Sequence, residues 1–301
     1  MMKVICIVVT FNRKEMLKRC IDSLLNQTKK IDKILIVDNA SNDGTADLIS
    51  NNYGLNCRID VLKLERNIGG AGGFYEGMKY ALEFEYNWLW LMDDDGFPEM
   101  ECLEKLVKFS YNNNLNAISP IQIDIDNMSE LAFPVTCNNK KITGKLDNIN
   151  GIEYVDNEAN LFNGLLIESS CVRKIGLPIA ELFIRGDEVE YTKRMKINDL
   201  KFGTLVGAKF FHPSDKSERI PMLFNLLTMR DAHSDFKNYY MFRNRAVAFI
   251  QDGNSLLLPL DFIRYTYYYL IVKKMDLKGL KLWCTATIDG VKGRLGRHPK
   301  Y

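Results

Sequence analysis

The sequence predicts an α/β protein whose central sheet is mostly parallel and flanked by helices. Three observations favour this fold class. Strand and helix patterns alternate through the first hundred residues, polar clusters follow four successive predicted strands, and 47% of the 301 residues are hydrophobic. This hydrophobic content, together with 26% charged residues, is typical of a globular protein with a sizeable core and excludes a disordered chain.

Four short apolar runs predict the first strands, at residues 4–9, 33–37, 59–64 and 88–92. These runs are continuous rather than alternating, as is typical of parallel strands that are buried on both faces. The segments between them have helical spacing of their apolar residues. The predicted helices are one with an apolar face from Met16 to Leu25, a short one that ends near Gly54, and one over residues 73–86.

Beyond residue 100 the pattern is looser. Residues 124–160 are rich in Asn and Asp, which predicts loops or a small antiparallel hairpin. The remaining predicted elements are helices over 101–113 and 188–197, strands over 117–123, 160–167 and 202–208, and three helical segments over 233–251, 256–272 and 276–288.

The charges nearly balance, with 40 basic and 38 acidic residues, and this argues against nucleic acid as a partner. They are spread unevenly, however, because residues 273–301 carry eight Lys or Arg and only two acidic residues. A basic segment beside aromatic residues predicts contact with an anionic membrane surface or another polyanion, and a solvated basic segment is the alternative. The aromatic residues concerned are Tyr265, Tyr267, Tyr268, Tyr269 and Trp283.

The sequence predicts a cytoplasmic protein without membrane-spanning segments. The apolar run at residues 4–9 is too short for a signal peptide, and the run at 256–272 is interrupted by Asp261 and Arg264. The seven cysteines include no C-x-x-C pair, and several lie in apolar patterns, as reduced core cysteines do.

Polar clusters follow the first four predicted strands at the point where each strand ends. Because ligands of open α/β sheets bind at the carboxyl ends of the strands, four such clusters in succession predict a binding site there. The clusters are Thr10-Phe11-Asn12-Arg13, Asp38-Asn39-Ala40-Ser41, residues 67–73 and Asp93-Asp94-Asp95.

The three consecutive aspartates indicate a metal site. Adjacent carboxylates raise one another's pKa unless a cation neutralises them, and a divalent ion that also binds phosphate oxygens would do so. Alternation along an extended segment places Asp93 and Asp95 on the same side. A solvated acidic turn is the alternative interpretation.

The glycine-rich stretch at residues 67–73 follows the third predicted strand. A dinucleotide-binding fingerprint requires its glycines directly after the first strand, so an NAD-dependent oxidoreductase is disfavoured. Glycine allows the backbone to approach a ligand closely, and the stretch therefore suits a sugar nucleotide lying across the sheet.

Together these motifs resemble the family-2 glycosyltransferases. The stretch Gly-Gly-Ala-Gly-Gly-Phe at residues 69–74 and the triple Asp are most similar to bacterial galactofuranosyltransferases, and next to rhamnosyltransferases. The resemblance covers roughly residues 3–250. It implies a GT-A fold with a catalytic domain over 1–232, made of a nucleotide-binding half (1–123) and an acceptor-side half (124–232). A helical, basic, membrane-proximal segment would follow over 233–301.

The resemblance also implies roles for individual residues in inverting transfer from a nucleotide-diphosphate sugar. Asp38 would contact uracil, and Asp94 would face the sugar or ribose. Asp93, Asp95 and His212 would hold Mn²⁺ or Mg²⁺, and the imidazole ligand slightly favours Mn²⁺. The remaining residues implied in binding the nucleotide sugar are Thr10, Phe11, Arg13, Asn67, Gly69 and Gly70.

A later acidic segment is similar to the family's catalytic motif. Where the similar enzymes have Trp-Asp-Asp, this chain has Gly186-Asp187-Glu188, so Glu188 takes the position of the general base and Asp187 that of its neighbour. The choice between these two carboxylates stays open, and an acidic first helical turn is the purely structural alternative. Tyr239-Tyr240 with Arg243-Asn244 also resembles a family segment, which implies an acceptor or diphosphate role.

The resemblance implies a UDP-sugar donor, with UDP-galactofuranose first and dTDP-rhamnose as the alternative. The acceptor would be a cell-surface polysaccharide or a lipid-linked glycan, reached from the inner face of the plasma membrane. A non-catalytic protein that binds sugar nucleotides is the alternative from another functional class, but such a protein would lack the metal motif or the base, and this sequence retains both.

Overall fold

A computed structural model describes residues 2–137, 140–142, 144–214, 218–222 and 227–301. The chain forms two compact units, the first made of Met1–Pro178 and Tyr191–Ser214, the second of Ile179–Glu190 and Asp215–Tyr301. The described residues 218–222 and 227–232 thus group with the helical second unit, as does the acidic segment Ile179–Glu190. The division into domains at residue 232 stays a prediction.

The first unit is built on a nine-stranded mixed sheet, and it confirms the predicted α/β fold class. The strands lie in the order β3-β2-β1-β4-β10-β6-β11-β5, with β9 beside β11. Their bounds are β1 Val4–Thr10, β2 Lys33–Asp38, β3 Ile59–Lys63, β4 Trp88–Asp93, β5 Phe97–Pro98, β6 Ala117–Asp124, β9 Tyr154–Asp156, β10 Asn163–Glu168 and β11 Phe202–His212. A separate hairpin consists of β7 Val135–Cys137 and β8 Lys140–Ile142, within the segment where a loop or a hairpin is predicted.

Strands β1 to β4 are mutually parallel, as the alternating pattern predicts. Strand β10 runs antiparallel to both β4 and β6, so β6 and its parallel partner β11 point in the same direction as β1 to β4. The carboxyl ends of β1, β2, β4, β6 and β11 therefore lie along one edge of the sheet.

Helices cover both faces of this sheet, which explains why its central strands are apolar throughout. Val4, Cys6 and Val8 of β1 pack in one core cluster with the apolar face of the first helix, and Ile5, Ile7 and Val9 pack in a second cluster with Phe74 and Met78. The helices of this unit are α1 Lys14–Leu25, α2 Thr45–Tyr53, α3 Gly69–Leu82, α4 Cys102–Asn113 and α5 Ser169–Ile175. Helix α6, Asp187–Ile197, belongs to the second unit up to Glu190 and to the first from Tyr191.

The glycine-rich stretch is helical, and the predicted helix start at residue 73 is therefore wrong. Helix α3 begins at Gly69, and its glycines permit close packing on the sheet rather than an open loop. A Cβ atom on Gly73 would lie 2.5 Å from Cγ1 of Val9, and one on Gly77 would lie 2.6 Å from Cγ2 of Ile7. Helix propensity disfavours glycine in this position, but close contact with β1 requires it.

The second unit contains α7 Asp235–Gln251, α8 Leu257–Tyr267, a π-helical turn Tyr268–Val272, α9 Leu277–Val291, and the hairpin β12 Arg219–Met222 with β13 Leu227–Arg230. Its core is largely aromatic. Tyr265, Tyr268, Tyr269 and Trp283 are each less than 5% exposed in that core, so the prediction that they contact a membrane is wrong. Among the helices of the described residues, none is both long and apolar enough to cross a bilayer.

Replacing Gly73 with Ala tests the packing of α3 on β1. The added methyl group meets Val9 at 2.5 Å, so we expect the free energy of unfolding to fall by about 1–3 kcal/mol, as in other overpacked cores. The matched control is Gly70→Ala in the same helix, where no atom lies within 4 Å of the added methyl group. Urea unfolding followed by tryptophan fluorescence measures both, and equal stability of the two variants would contradict the packing argument.

Candidate active site

The candidate site lies at the carboxyl edge of the sheet in the first unit. The strand register pairs Thr10 of β1 with Asp38 of β2, and Val9 of β1 with Asp93 of β4. The three strands therefore end at nearly the same height in the sheet, and their terminal polar residues lie side by side. His212 ends β11 in register with Asp124 of β6. The sheet order thus brings residues far apart in sequence to the same edge.

Asp94 is held by Thr10, the last residue of β1, and by Arg13, which follows that strand. Its Oδ2 accepts a hydrogen bond of 2.7 Å from the Thr10 hydroxyl, and its Oδ1 accepts one of 3.1 Å from Nη1 of Arg13. The same Nη1 also donates to Oδ2 of Asp95 at 2.7 Å. Both oxygens of the buried Asp94 therefore have protein partners, and its implied role towards the sugar or ribose stays a prediction.

His212 lies against the other oxygen of Asp95. Its Nε2 is 3.0 Å from Oδ1 of Asp95, and its Nδ1 is 2.6 Å from the carbonyl oxygen of Pro213. Because a carbonyl only accepts, Nδ1 must carry a hydrogen, and in the neutral imidazole the lone pair of Nε2 then faces a carboxylate oxygen. Two electron-pair donors at this distance require a cation between them, either a proton or a metal ion.

The aspartates differ in their electrostatics. Burial raises the pKa of Asp94 to about 6, although Arg13 and Thr10 oppose the shift. Burial also acts to raise the pKa of Asp95, but the neighbouring His212 and Arg13 outweigh it and lower that pKa below its ordinary value. Asp95 is therefore the more readily ionised of the two and the better ligand for a cation.

Two of the three predicted metal ligands, Asp95 and His212, are arranged as a divalent cation requires. Oδ1 of Asp95 is buried and has no hydrogen bond of regular geometry to a described residue, which leaves it available to a cation. Ligands at right angles in an octahedral shell lie about 3.0 Å apart, and this matches the separation of Asp95 and His212. No group of three His, Cys, Asp or Glu side chains within the described ranges forms a complete metal centre, so Asp93 as third ligand stays a prediction.

The backbone after Asp93 is not extended, although the sequence-based prediction of the side-chain directions of Asp93 and Asp95 assumes that it is. Strand β4 ends at Asp93, and Asp94 and Asp95 form a turn. Strand alternation therefore does not continue past Asp93, and the expectation that it sets Asp93 and Asp95 on the same side has no basis in the observed backbone.

The loops after β1 and β2 are joined by hydrogen bonds. Oδ1 of Asp38 accepts a hydrogen bond from the Ser41 amide, and the Ser41 hydroxyl accepts one from the Asn12 amide at 3.0 Å. Asp38 is almost fully buried, and Phe11 is 40% exposed. Asp38 is therefore buried at the carboxyl edge of the sheet, whereas the Phe11 ring at the same edge is exposed to solvent.

Asn39 connects the same edge to the start of α3, a link that the sequence reasoning missed. Its Nδ2 donates to the Gly69 carbonyl at 2.7 Å, and its Oδ1 accepts from the Ile68 amide at 2.9 Å. Asn67 caps this turn by accepting from the Gly69 amide at 2.8 Å. Gly69 has a φ of 79°, and a Cβ on Gly70 would meet open space, so the backbone there is accessible.

The acidic pair lies in the second unit, at the start of α6. Helix α6 begins at Asp187, which is buried, and Oε2 of Glu188 accepts a hydrogen bond of 2.8 Å from the Gly186 amide. The preceding backbone is strained, because Phe183 and Arg185 have φ values of 68° and 61°. Non-glycine residues in that region persist only where their surroundings hold them.

Asn244 and Arg243 of α7 hold this strained segment. Nδ2 of Asn244 lies within hydrogen-bonding distance of the carbonyl oxygens of Leu182, Ile184 and Arg185, at 2.9, 3.0 and 2.6 Å. Both side chains are buried, and Oδ1 of Asn244 accepts from Nε of Arg243 at 2.9 Å.

Arg243 extends the same contact. Its Nη2 donates to the carbonyl oxygens of Glu181 and Leu182, at 3.1 and 2.9 Å, and its Nη1 donates to that of Gly296 at 2.5 Å. The guanidinium is thus surrounded by backbone carbonyls, and a direct role of Arg243 or Asn244 on a diphosphate is not supported. Instead the pair fixes the backbone that presents Asp187 and Glu188.

The family model described as "Glycosyl transferase family 2" matches residues 5–162, which include the strand-end clusters and the triple Asp. That is more than half of the chain. The chain belongs to glycosyl transferase family 2. This membership confirms the predicted family and, with it, a glycosyltransferase enzyme.

Relatives within this family match along the whole chain. The protein is 32% identical over 306 positions to galactofuranosyltransferase GlfT1 of Mycolicibacterium smegmatis, a match that covers 99% of this chain and 98% of that protein. It is 34% identical to galactofuranosyltransferase GlfT1 of Mycobacterium tuberculosis, over 99% of this chain and 96% of that one.

Solved structures of GT-A glycosyltransferases share the fold. S. aureus TarS 1-349 in complex with UDP has a TM-score of 0.61 at 17% identity, over 97% of this chain and 82% of that one. GalNAc-T7 with UDP, GalNAc and Mn²⁺ has a TM-score of 0.59 at 14% identity, over 82% and 48%. GT-A glycosyltransferases typically use a divalent metal, and the predicted GT-A fold of this family-2 enzyme is confirmed.

Replacing Asn244 with Ala tests whether α7 holds the acidic segment of this family-2 enzyme. The carbonyls of Ile184 and Arg185 lose their side-chain donor, and that of Leu182 keeps Arg243, so we expect the free energy of unfolding to fall by about 1–3 kcal/mol. Asn113→Ala is the control, because its Nδ2 donates one exposed hydrogen bond within α4 and its loss should cost less than about 0.5 kcal/mol. Urea unfolding compares the two, and an Asn244 variant as stable as the control would contradict the contact.

Proposed function

We propose that this family-2 glycosyltransferase transfers galactofuranose from UDP-galactofuranose to a glycan acceptor, with inversion at the anomeric carbon. The observation that carries the proposal is the extent of the similarity to the mycobacterial galactofuranosyltransferases. It covers 99% of this chain and extends well beyond the residues 5–162 that the family model matches. It therefore includes the acidic segment at 186–188 and the helical second unit.

The proposed base is one of the two carboxylates at the start of α6. Glu188 or Asp187 would accept the proton of the acceptor hydroxyl as that oxygen attacks the anomeric carbon. General-base assistance of this kind is worth about 10²–10⁴-fold in rate. The hydrogen bond from the Gly186 amide orients the Glu188 carboxylate, and the contacts of Asn244 fix the backbone on which both carboxylates stand.

The proposed donor site is the carboxyl edge of the sheet in the first unit. Asp38 and Asn67 would recognise the nucleoside, with Thr10, Phe11, Gly69 and Gly70 beside it. Arg13 would hold Asp94 and Asp95 in place through the contacts already present. Asp95 and His212, with Asp93, would hold Mn²⁺ or Mg²⁺, which when bound neutralises the charge that develops on the leaving diphosphate.

We also propose that the acceptor is lipid-linked and that the enzyme meets it at the inner face of a membrane. The support is the set of exposed lysines in the second unit, at positions 273, 274, 278 and 281. Each cationic side chain near an anionic lipid surface contributes roughly 1 kcal/mol of attraction.

A transfer assay tests the proposed function. The enzyme is incubated with UDP-galactofuranose, Mn²⁺ and a short soluble galactan, and the products are read by mass; we expect addition of one hexose. One of the variants Glu188→Gln and Asp187→Asn should lose about 10²–10⁴-fold in kcat, because it lacks the base. The variant that retains UDP binding while losing turnover identifies the base.

Glu181→Gln, which changes an exposed carboxylate of the same segment, is the matched control and should keep its kcat. Transfer of rhamnose from dTDP-rhamnose without transfer from UDP-galactofuranose would overturn the donor assignment. Near-native turnover of both acidic variants would overturn the assignment of the base.

A further inference from the structure

Helix α8 and the π-helical turn after it have apolar side chains on two sides. The inner side, with Tyr265, Tyr268 and Tyr269, is buried in the aromatic core. The outer side carries a second apolar row, spaced three or four residues apart, which we call the outer stripe. Its members are Leu256, Leu260, Ile263, Tyr267 and Ile271, which are 83, 61, 65, 37 and 62% exposed.

The outer stripe is the centre of a wider apolar surface. Soluble proteins seldom expose large apolar side chains in continuous groups, and such surfaces mark sites of interaction with proteins or membranes. A helix that is apolar on all sides is normally covered on all sides. The further exposed apolar side chains in this segment are Leu257, Phe262, Val272, Met275 and Leu277.

The charges around the outer stripe have one sign. Within residues 256–281, the charged side chains classed as exposed are all lysines, at positions 273, 274, 278 and 281. The two acidic residues of this range are engaged elsewhere. Asp261 is buried and paired with Arg245, and Asp276 accepts a hydrogen bond from the Gly279 amide at the start of α9.

We propose that the outer stripe docks this enzyme onto an anionic lipid surface. Helix α8 lies in the plane of the interface, with the outer stripe among the acyl chains and Lys274, Lys278 and Lys281 against the lipid phosphates. An interfacial helix of this kind combines an apolar face with flanking cations and needs no membrane-spanning length.

Charge complementarity favours lipid over a second copy of the chain. An anionic headgroup layer supplies a counter-charge to Lys274, Lys278 and Lys281, whereas Lys273 already pairs with the buried Asp231 at 3.1 Å. A second copy would bring the same four lysines, and residues 256–281 offer no exposed carboxylate to pair with them. A neutral lipid surface has no net negative charge to pair with the lysines, and it is therefore a weaker partner than an anionic surface.

The inference deepens the proposed membrane association and rests on that part of the proposed function. It replaces the buried Tyr265, Tyr268, Tyr269 and Trp283 with the outer stripe, which includes the exposed Tyr267, as the surface that meets lipid. Sugar transfer to a soluble acceptor does not depend on it, so the two proposals can fail separately.

Vesicle sedimentation tests the inference without donor or acceptor. The full chain is mixed with vesicles of phosphatidylglycerol and phosphatidylcholine in equal parts, and with phosphatidylcholine vesicles alone. We expect retention on the anionic vesicles only. The double variant Leu260→Gln/Ile263→Gln should lower the apparent vesicle affinity at least about tenfold, because two apolar side chains no longer enter the lipid.

The matched control is Leu55→Gln/Val61→Gln, which removes two exposed apolar side chains from the first unit and should change the affinity less than about twofold. Circular dichroism confirms that each variant is folded. Equal retention of the stripe variant and the control variant would overturn the outer stripe while leaving membrane association intact. If the native chain is not retained on anionic vesicles, both the outer stripe and membrane association are overturned. The same follows if light scattering shows that the native chain is a dimer and that only the stripe variant is a monomer.

Discussion

Three consecutive carboxylates, Asp93 to Asp95, lie at the end of the buried strand β4, and their mutual repulsion is the constraint around which the site of the first unit is arranged. Partners from the ends of two other strands stabilise these carboxylates. Thr10 and Arg13 arrive from the end of β1, and His212 arrives from the end of β11. Without these partners, the buried carboxyl groups would take up protons rather than remain charged.

The sheet topology makes this convergence possible. Strand β10 runs antiparallel between β4 and β6, so β11 returns to the direction of β1 and delivers His212 to the edge where β4 ends. The acidic pair of α6 is fixed within the second unit by a different device, in which buried Asn244 and Arg243 bind backbone carbonyls. The proposed donor site is therefore held by the sheet of the first unit, and the proposed base is held by α7 within the second unit.

Much of this arrangement could be predicted from the sequence, because strands buried on both faces and polar strand ends leave strong local patterns. What the patterns missed depends on tertiary contact. Helix α3 begins at Gly69, four residues before its predicted start, and no local signal distinguishes its first glycines from those of a loop. Gly73 and Gly77 are glycines because β1 lies too close for a Cβ. The aromatic residues beside the basic segment face a core that three helices form together, and the sequence could not show which face of α8 stays outside.

In the proposed donor site, Asp95 and His212 together bind a divalent cation beside a nucleoside diphosphate. Isothermal titration calorimetry of UDP, with and without Mn²⁺, tests it directly in the absence of any transfer. We expect Mn²⁺ to tighten UDP binding by at least about tenfold, and His212→Ala to abolish this gain while the affinity for UDP alone stays unchanged. An affinity for UDP that Mn²⁺ leaves unchanged in the native protein, or a gain that survives in His212→Ala, would contradict it.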